Sequence, residues 1–186
     1  MFILPVKNGE YAIVKGEGYI DIPEAKQSVA VYRSKLDFEL ETSKVGNSEM
    51  QHLDFAYASS LVRTFIQDDS LVLTIRGRKY TPDEGFQFRV GKQILDAKSV
   101  QTEVDAGYEG RKQIVLIEAK SSNAKNTIIR QMYYPFRQWQ HHTQKQVITM
   151  FFGKFDQTYS FWQFTFDDPY DYNSIRLVHS AQYAIM

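Results

Sequence analysis

Four consecutive aliphatic residues, Ile114 to Ile117, constrain the fold more than any other feature of the chain. Such a run predicts a strand that is buried on both faces of a sheet, and a buried strand normally ends in turn residues. This one continues directly into Glu118, Ala119 and Lys120. Because side chains alternate along a strand, Glu118 and Lys120 are expected on one face. The sequence therefore predicts two charges fixed at the end of a rigid strand.

A second carboxylate precedes this run. The segment "TEVDAG" predicts the first strand of an antiparallel hairpin that breaks around Gly107 to Gly110, and its Asp105, near the strand end, stands thirteen positions before Glu118. In such a hairpin the two carboxylates are expected to lie side by side. Two ionised carboxylates at close range repel each other, and a divalent cation between them relieves the repulsion. The pattern predicts a metal site formed by Asp105, Glu118 and the carbonyl oxygen of Ala119.

These residue types favour one kind of chemistry. Oxygen ligands suit Mg²⁺, with Mn²⁺ as a substitute, and such a cation polarises a phosphoryl oxygen and lowers the pKa of bound water. Lys120 is expected to orient that water and to offset negative charge that develops on phosphorus. The three side chains together predict hydrolysis of a phosphodiester. The alternative is a solvated strand end, because a single D…ExK pattern also arises by chance.

The flanking patterns predict a sheet with inserted helices, and therefore an α/β or α+β fold. Apolar positions at helical spacing predict one helix over 48–66, capped by Asn47 or Ser48. A second helix is predicted in "NTIIRQMYYPFRQWQHH", with a kink or restart at Pro135. Further strands are predicted in "GEYAIVKGEGYIDIP", "SLVLTIRGRKY", "EGFQFRV", "QVITMFFGKF" and "TYSFWQFTF", with a last strand pair in "SIRLVHSAQYAIM".

Composition limits the possible partners. The 22 Lys and Arg balance the 22 Asp and Glu, so any nucleic-acid surface must be local. Cysteine is absent, which excludes disulfides, thiolate zinc sites and thiol nucleophiles. No apolar run approaches the roughly 20 residues of a spanning helix, and the first residues show no secretory signal. We expect a cytoplasmic protein of one domain with no membrane partner.

The D…ExK pattern on this hairpin, followed by a helix, resembles the PD-(D/E)xK nuclease superfamily, and type II restriction endonucleases in particular. The leading proline of the superfamily pattern is Val104 here. The resemblance implies a restriction-endonuclease-like core, with a mixed central β-sheet flanked by helices, over residues 46–186. Residues 1–45 would be an extra N-terminal β-rich region. The resemblance also leaves open that the chain is a fragment of a longer protein.

The resemblance implies roles for two further residues. Gln131 falls where several members of the superfamily place a glutamine near the active site, in the helix after the catalytic strand. Glu49 is the candidate for a glutamate of the first core helix that points at the metal, with Asp54 and Glu41 as competitors. Both residues also have simpler explanations. Gln131 suits a polar helix face, and Glu49 in a first helical turn is stabilised by the helix macrodipole.

Three cations around the second helix, Arg130, Lys125 and Arg137, are the predicted DNA contacts. Alternatively, these cations are solvated while the aromatic residues between them pack on the sheet. The resemblance implies a Mg²⁺-dependent endonuclease that cuts duplex DNA as a homodimer, because a twofold dimer cuts opposite strands most easily. The alternatives are a nuclease of repair or recombination intermediates, and a nucleic-acid-binding or scaffold domain that does not cleave.

Overall fold

A mixed β-sheet of seven strands forms the centre of the protein, in a computed structural model that describes residues 1–24, 28–120 and 124–186. The helices are α1 (Glu49–Ala58), α2 (Leu61–Ile66) and α3 (Ile129–His142). In chain order the strands are β1 (Phe2–Lys7), β2 (Glu10–Val14), β3 (Tyr19–Asp21), β4 (Ala30–Tyr32), β5 (Val72–Tyr80), β6 (Phe86–Val90), β7 (Gln93–Ala97), β8 (Gln101–Glu109), β9 (Gln113–Lys120), β10 (Asn126–Ile128), β11 (Gln146–Phe155), β12 (Thr158–Phe166) and β13 (Ile175–Ile185).

The spatial order of the central sheet is β4-β13-β12-β11-β9-β8-β5. β8 and β9 pair antiparallel, which confirms the predicted hairpin, but the connection spans residues 110–112 and not the predicted 107–110, since Gly107 to Glu109 still pair with β9. β9 and β11 pair parallel, and α3 lies in the crossover between them, as a parallel pair requires. β4 joins β13 in parallel at the far edge. The predicted α+β class, with a mixed central sheet flanked by helices, is confirmed.

Apolar residues cover both faces of this sheet. On one face, α1 and α2 pack against Val115 and Ile117 of β9. On the other face, Trp139 of α3 packs toward Ile114 and Leu116. All four residues of the aliphatic run are therefore buried, as predicted for a strand covered on both sides. The run fixes the position of the charged residues that follow it.

The predicted single helix over 48–66 is wrong, because the segment forms two helices, α1 and α2. Ser60 separates them in the left-handed conformation, with φ 68° and ψ 12°. This conformation turns the chain and directs α2 onto the sheet independently of α1. Of the two proposed caps, Ser48 is the N-cap, since its hydroxyl accepts a hydrogen bond from the backbone N–H of Gln51 at 3.2 Å.

Two further predictions are corrected. Of the predicted kink or restart at Pro135, the restart is wrong, because α3 runs through Pro135 as one helix, although proline removes one helical hydrogen bond at a cost of about 3 kcal/mol. The buried neighbours Tyr133, Tyr134 and Phe136 hold that part of the helix in the core, and this packing offsets the loss. The predicted last strand pair is one long strand, β13, which pairs with β12 from Ile175 to Ala184 with one irregularity.

The N-terminal residues are part of the same packed unit. β1 and β2 form a hairpin, and their residues Leu4 and Val14 are buried in the core that contains α3. β3 pairs with β10, directly before α3, and the backbone N–H of Ile129 donates to the carbonyl of Gly18 at 3.0 Å. These contacts fix the start of α3. Among the described residues, no helix has the length and apolar character needed to cross a membrane.

The packing of α1 on the sheet predicts a large stability loss on truncation of Leu53, which is completely buried. We expect Leu53→Ala to lower the free energy of unfolding by about 2 to 5 kcal/mol, because it removes buried methyl groups and leaves a cavity. Urea unfolding measures this change. Val72→Ala, on the exposed edge strand β5, is the control and should cost about 0.5 kcal/mol or less. Equal losses in the two variants would contradict the assigned packing.

Candidate functional site

An open cleft of about 330 Å³ lies between the β8–β9 hairpin and the first turns of α3. All three elements contribute polar side chains to it. The lining residues are Gln101, Thr102, Glu103 and Asp105 from β8, Glu118 and Lys120 from β9, and Arg130, Gln131, Tyr134 and Pro135 from α3. The structure therefore brings the predicted Asp105, Glu118, Lys120 and Gln131 to one place.

A β-bulge directs Asp105 into this cleft. Between Val104 and Gly107, β8 has two residues opposite the single residue between Ile75 and Gly77 of β5. A bulge of this kind bends the strand and re-aims a side chain. The regular β8–β9 pairing ends one residue after Asp105.

Beyond the Ala106–Ile117 pair, a hydrogen bond to the Asp105 side chain takes the place of backbone pairing between β8 and β9. Asp105 Oδ2 accepts a hydrogen bond from the backbone N–H of Ala119 at 2.7 Å. The contact fixes the Asp105 carboxylate beside the peptide that joins Glu118 to Ala119, next to the Ala119 carbonyl that is the third predicted metal ligand. β9 thus positions the Asp105 carboxylate through the backbone N–H of Ala119 and carries the Glu118 carboxylate itself.

Glu118 is the most buried acid of the cleft, with 6% of its surface exposed. Its Oε1 accepts hydrogen bonds from Lys120 Nζ at 2.6 Å and from Gln131 Nε2 at 2.7 Å. A buried carboxylate is costly unless donors satisfy it, and these two donors supply that compensation. Gln131 therefore holds Glu118 from the following helix, at the position where the resemblance implied a glutamine.

Burial raises the pKa of Glu118 to about 7, and the negative charges of Asp105 and Glu49 act in the same direction. The hydrogen bond and charge of Lys120 oppose this rise. Burial likewise raises the pKa of Asp105, with smaller contributions from Glu49 and Glu103. For Lys120, burial lowers the pKa, but the surrounding carboxylates outweigh burial and leave the ammonium more strongly protonated than usual.

Glu49, in the first turn of α1, acts on this cluster through its charge. That charge raises the pKa of Asp105, of Glu118 and of Lys120. The competing Asp54 forms an ion pair with Arg76 of β5 instead. The other competitor, Glu41, is exposed before the short 3-10 turn Thr42–Lys44. Of the three candidate carboxylates, Glu49 is therefore the best candidate for a further acid of the site.

The three predicted DNA contacts occupy different surroundings. Arg130 is half-buried in the cleft wall, and Lys125 is exposed just before β10. Arg137 is buried, and its Nη1 donates to the carbonyls of Gln87 and Pro169. The charge of Arg137 is therefore satisfied inside the protein, where it joins α3 to two distant segments.

Sequence reasoning missed two residues of β8. Glu103 lies in the cleft wall and adds negative charge near Asp105. Its position two residues before Asp105 was an available signal, because alternate residues of a strand share a face. Thr102 donates a buried hydrogen bond to Gln138 of α3 at 2.6 Å and so ties β8 to the helix. No local pattern predicts a contact between residues so far apart in sequence.

The cleft offers oxygen ligands of the kind that a hard cation requires. Asp105, Glu118 and the peptide of Ala119 offer hard oxygen atoms, the type that Mg²⁺ prefers. Within the described part of the chain, no group of three or more acidic or imidazole side chains lies close enough together to hold a metal ion. A cation would therefore depend on these two carboxylates, with backbone oxygen or water completing its shell.

The buried position of Glu118 predicts a pH-dependent stability. Its folded pKa of about 7 lies above the ordinary value of 4.5, so its contribution is complete below 4.5 and is lost as pH rises through about 7. We expect the free energy of unfolding to fall across this window. Urea unfolding of the unaltered protein and of Glu118→Gln checks this, because glutamine does not ionise. A parallel pH dependence in both proteins would contradict the assignment.

The charge of Glu49 predicts a coupling across the sheet. Glu49→Gln removes a negative charge that raises the pKa of Glu118, so the Glu118 carboxyl should titrate at lower pH in this variant. Carbon-13 NMR of labelled glutamate carboxyl groups measures the midpoint. Asp54→Asn, the same type of change on the same helix, is the matched control and should leave the midpoint unchanged. A larger shift of the Glu118 midpoint in Asp54→Asn than in Glu49→Gln would contradict the prediction, because it would show that Asp54 is the coupled carboxylate.

Comparison with known proteins places this site within a recognised family. A family model described as "Domain of unknown function (DUF6997)" matches residues 14–184, which include every residue of the cleft. No curated protein and no solved structure matches the chain. Because the family model covers nearly the whole sequence, the chain belongs to the DUF6997 family.

Proposed function

We propose that the protein is a Mg²⁺-dependent endonuclease of the PD-(D/E)xK type that hydrolyses phosphodiester bonds of duplex DNA. The observation that carries this proposal is the meeting of Asp105, Glu118 and Lys120 in one cleft, with Gln131 bonded to Glu118. A strongly perturbed acid beside a specific charged partner in a cleft is typical of a functional site. A structural ion pair alone would not need a second carboxylate bonded to the adjacent peptide.

The order of elements also supports the proposal. α1 precedes the antiparallel strands β5, β8 and β9, and α3 then leads to β11, which is parallel to β9. The first turns of α3 border the acidic end of β9 on one face of the sheet, and Glu49 at the start of α1 acts on it by charge from the opposite face. We propose that these elements form a restriction-endonuclease-like core, to which the N-terminal strands are added.

The oxygen donors fit Mg²⁺, or Mn²⁺ in its place. Asp105, Glu118 and the carbonyl of Ala119 would hold the ion, which when bound polarises a phosphoryl oxygen and lowers the pKa of water. Glu118 must give up its proton to serve as a ligand, so binding is favoured above its pKa of about 7. Gln131 keeps Glu118 in one orientation by donating to Oε1.

Lys120 has a defined protonation state in this proposal. Its pKa is raised by the surrounding carboxylates, so at neutral pH it is an ammonium and not a base. It therefore contributes positive charge and hydrogen-bond donors to the attacking water or to the phosphoryl oxygens. In-line attack on a phosphodiester develops negative charge that such a donor offsets. Cleavage of both strands requires two such sites, and we propose a twofold homodimer to supply them.

Substitution at the cleft tests the activity. Asp105→Ala and Lys120→Ala are each expected to lower cleavage of plasmid DNA with Mg²⁺ by roughly a hundredfold or more, since each removes a group that acts on the reacting phosphate. DNA binding, measured by fluorescence anisotropy, should persist. Agarose gels of time courses give the cleavage rate. Omission of the divalent cation should abolish cleavage by the unaltered protein.

Asp96→Ala on β7 and Lys112→Ala in the β8–β9 turn are the matched controls, because they remove the same charges outside the cleft. Full activity of either cleft variant would refute the site. The products also separate the alternatives. Discrete fragments indicate a restriction-type enzyme, a smear indicates a nuclease without sequence preference, and intact DNA at high protein concentration indicates a binding or scaffold domain.

A further inference from the structure

The edge strand β5 carries a basic segment that the cleft chemistry does not use. It reads "RGRKY", from Arg76 to Tyr80. Arg76 is engaged by Asp54 of α1, whereas Arg78, Lys79 and Tyr80 are exposed. We call residues 78–80 the β5 rim. In a chain with balanced charges, a local group of exposed cations calls for an explanation.

The β5 rim lies directly beside the cleft. Each of its residues pairs with a β8 residue that lines the cleft wall, and neighbouring strands are about 4.8 Å apart. The pairs are Arg78 with Glu103, Lys79 with Thr102, and Tyr80 with Gln101. The rim is thus the next strand outward from the residues that surround Asp105.

The contacts of the rim leave its cations available. Arg78 approaches Glu103 at 3.7 Å, but their side chains are 69% and 59% exposed, and such solvated pairs are weak. Lys79 has no ion-pair partner in the described part of the chain. Tyr80 is 59% exposed and presents an aromatic ring with a hydroxyl group. Arginine, lysine and tyrosine are residue types that contact phosphate and sugar groups.

We infer that the β5 rim binds the phosphate backbone of the duplex DNA that enters the cleft. The inference rests on the proposed function and adds the surface that positions the substrate. The cleft itself is rich in carboxylates, which repel phosphate, so attraction must come from its margin. Arg130 supplies positive charge on the α3 side of the cleft. On the edge strand, Lys79 is paired with Thr102 on the face that α3 covers, and Arg78 supplies its charge from the opposite face of the same edge.

Protection of a sheet edge is the competing explanation, because charged residues on edge strands prevent pairing with other chains. The distribution along β5 argues against it. The other half of the strand, Val72 to Ile75, carries no charge, and Val72 is exposed. Cations placed to protect the edge would be needed there as well. They are confined to the part of the edge that borders the cleft.

The double variant Arg78→Gln/Lys79→Gln tests the inference. Each phosphate contact contributes about 0.9 to the slope of log affinity against log salt for duplex DNA, so its slope should be shallower by about 1.8. Binding of a short fluorescent duplex is measured over a salt series with Ca²⁺ in place of Mg²⁺, and gels verify that the DNA stays intact. Arg111→Gln/Lys112→Gln, which removes equal charge from the exposed turn at the other end of the hairpin, should keep the original slope.

The outcomes separate this inference from the proposed function. An unchanged slope in the rim variant, with Mg²⁺-dependent cleavage by the unaltered protein, overturns the rim alone. Greater light scattering with unchanged DNA binding also overturns it and indicates edge protection. An unaltered protein that neither binds nor cuts DNA overturns both. If thermal unfolding shows that the double variant is not folded, Lys79→Gln alone should lower the slope by about 0.9.

Discussion

The burial of Glu118 is the constraint on which the rest of the site depends. A carboxylate at the end of a strand covered on both faces loses its water and must obtain donors from the protein. Lys120 and Gln131 supply them, and both contact the same oxygen. Lys120 is brought there by strand alternation, whereas Gln131 requires α3 to begin close to the end of β9. The β3–β10 pairing holds that start in place.

The balance of charge at the cleft favours a cation over a phosphate. Glu49, Glu103, Asp105 and Glu118 face Lys120 and Arg130, so carboxylates outnumber the bases. Such an excess contributes to the raised pKa of Asp105 and of Glu118, and it makes the arrangement unfavourable when nothing neutralises it. The proposed Mg²⁺ would remove that penalty. A polyanion could approach only after the negative charge was neutralised, or along a basic margin.

Local patterns predicted the parts of the fold that local physics controls. The aliphatic run predicted β9 as a strand buried on both sides, and the glycines at 107 and 110 predicted its hairpin with β8, although β8 continues to Glu109. Long-range packing decided the rest. Nothing in the sequence marks Ser60 as left-handed, and the core around Pro135 keeps α3 continuous against the preference of proline. Arg137 looked like a surface cation because its partners are carbonyl groups far away in sequence.

The same division holds at the cleft. Strand alternation was sufficient to group Glu118 with Lys120, and the hairpin was sufficient to bring Asp105 close. The bulge in β8 was not predictable, since it arises from the slip in pairing with β5. Glu49 raises the pKa of Asp105 and of Glu118 from the face of the sheet that α1 covers. Only the three-dimensional arrangement therefore distinguishes Glu49 from Asp54.

The buried hydrogen bond between Thr102 and Gln138 has a mechanical consequence. It connects β8, which carries Asp105, to α3. In turn, Gln131 of α3 donates a hydrogen bond to Glu118 of β9. The carboxylates of Asp105 and Glu118 are thereby held at a fixed separation, because β8, α3 and β9 are connected in a closed circuit. A frame braced in this way cannot widen freely to suit its occupant. In the proposed metal site, such a frame would accept a small cation more readily than a large one of equal charge.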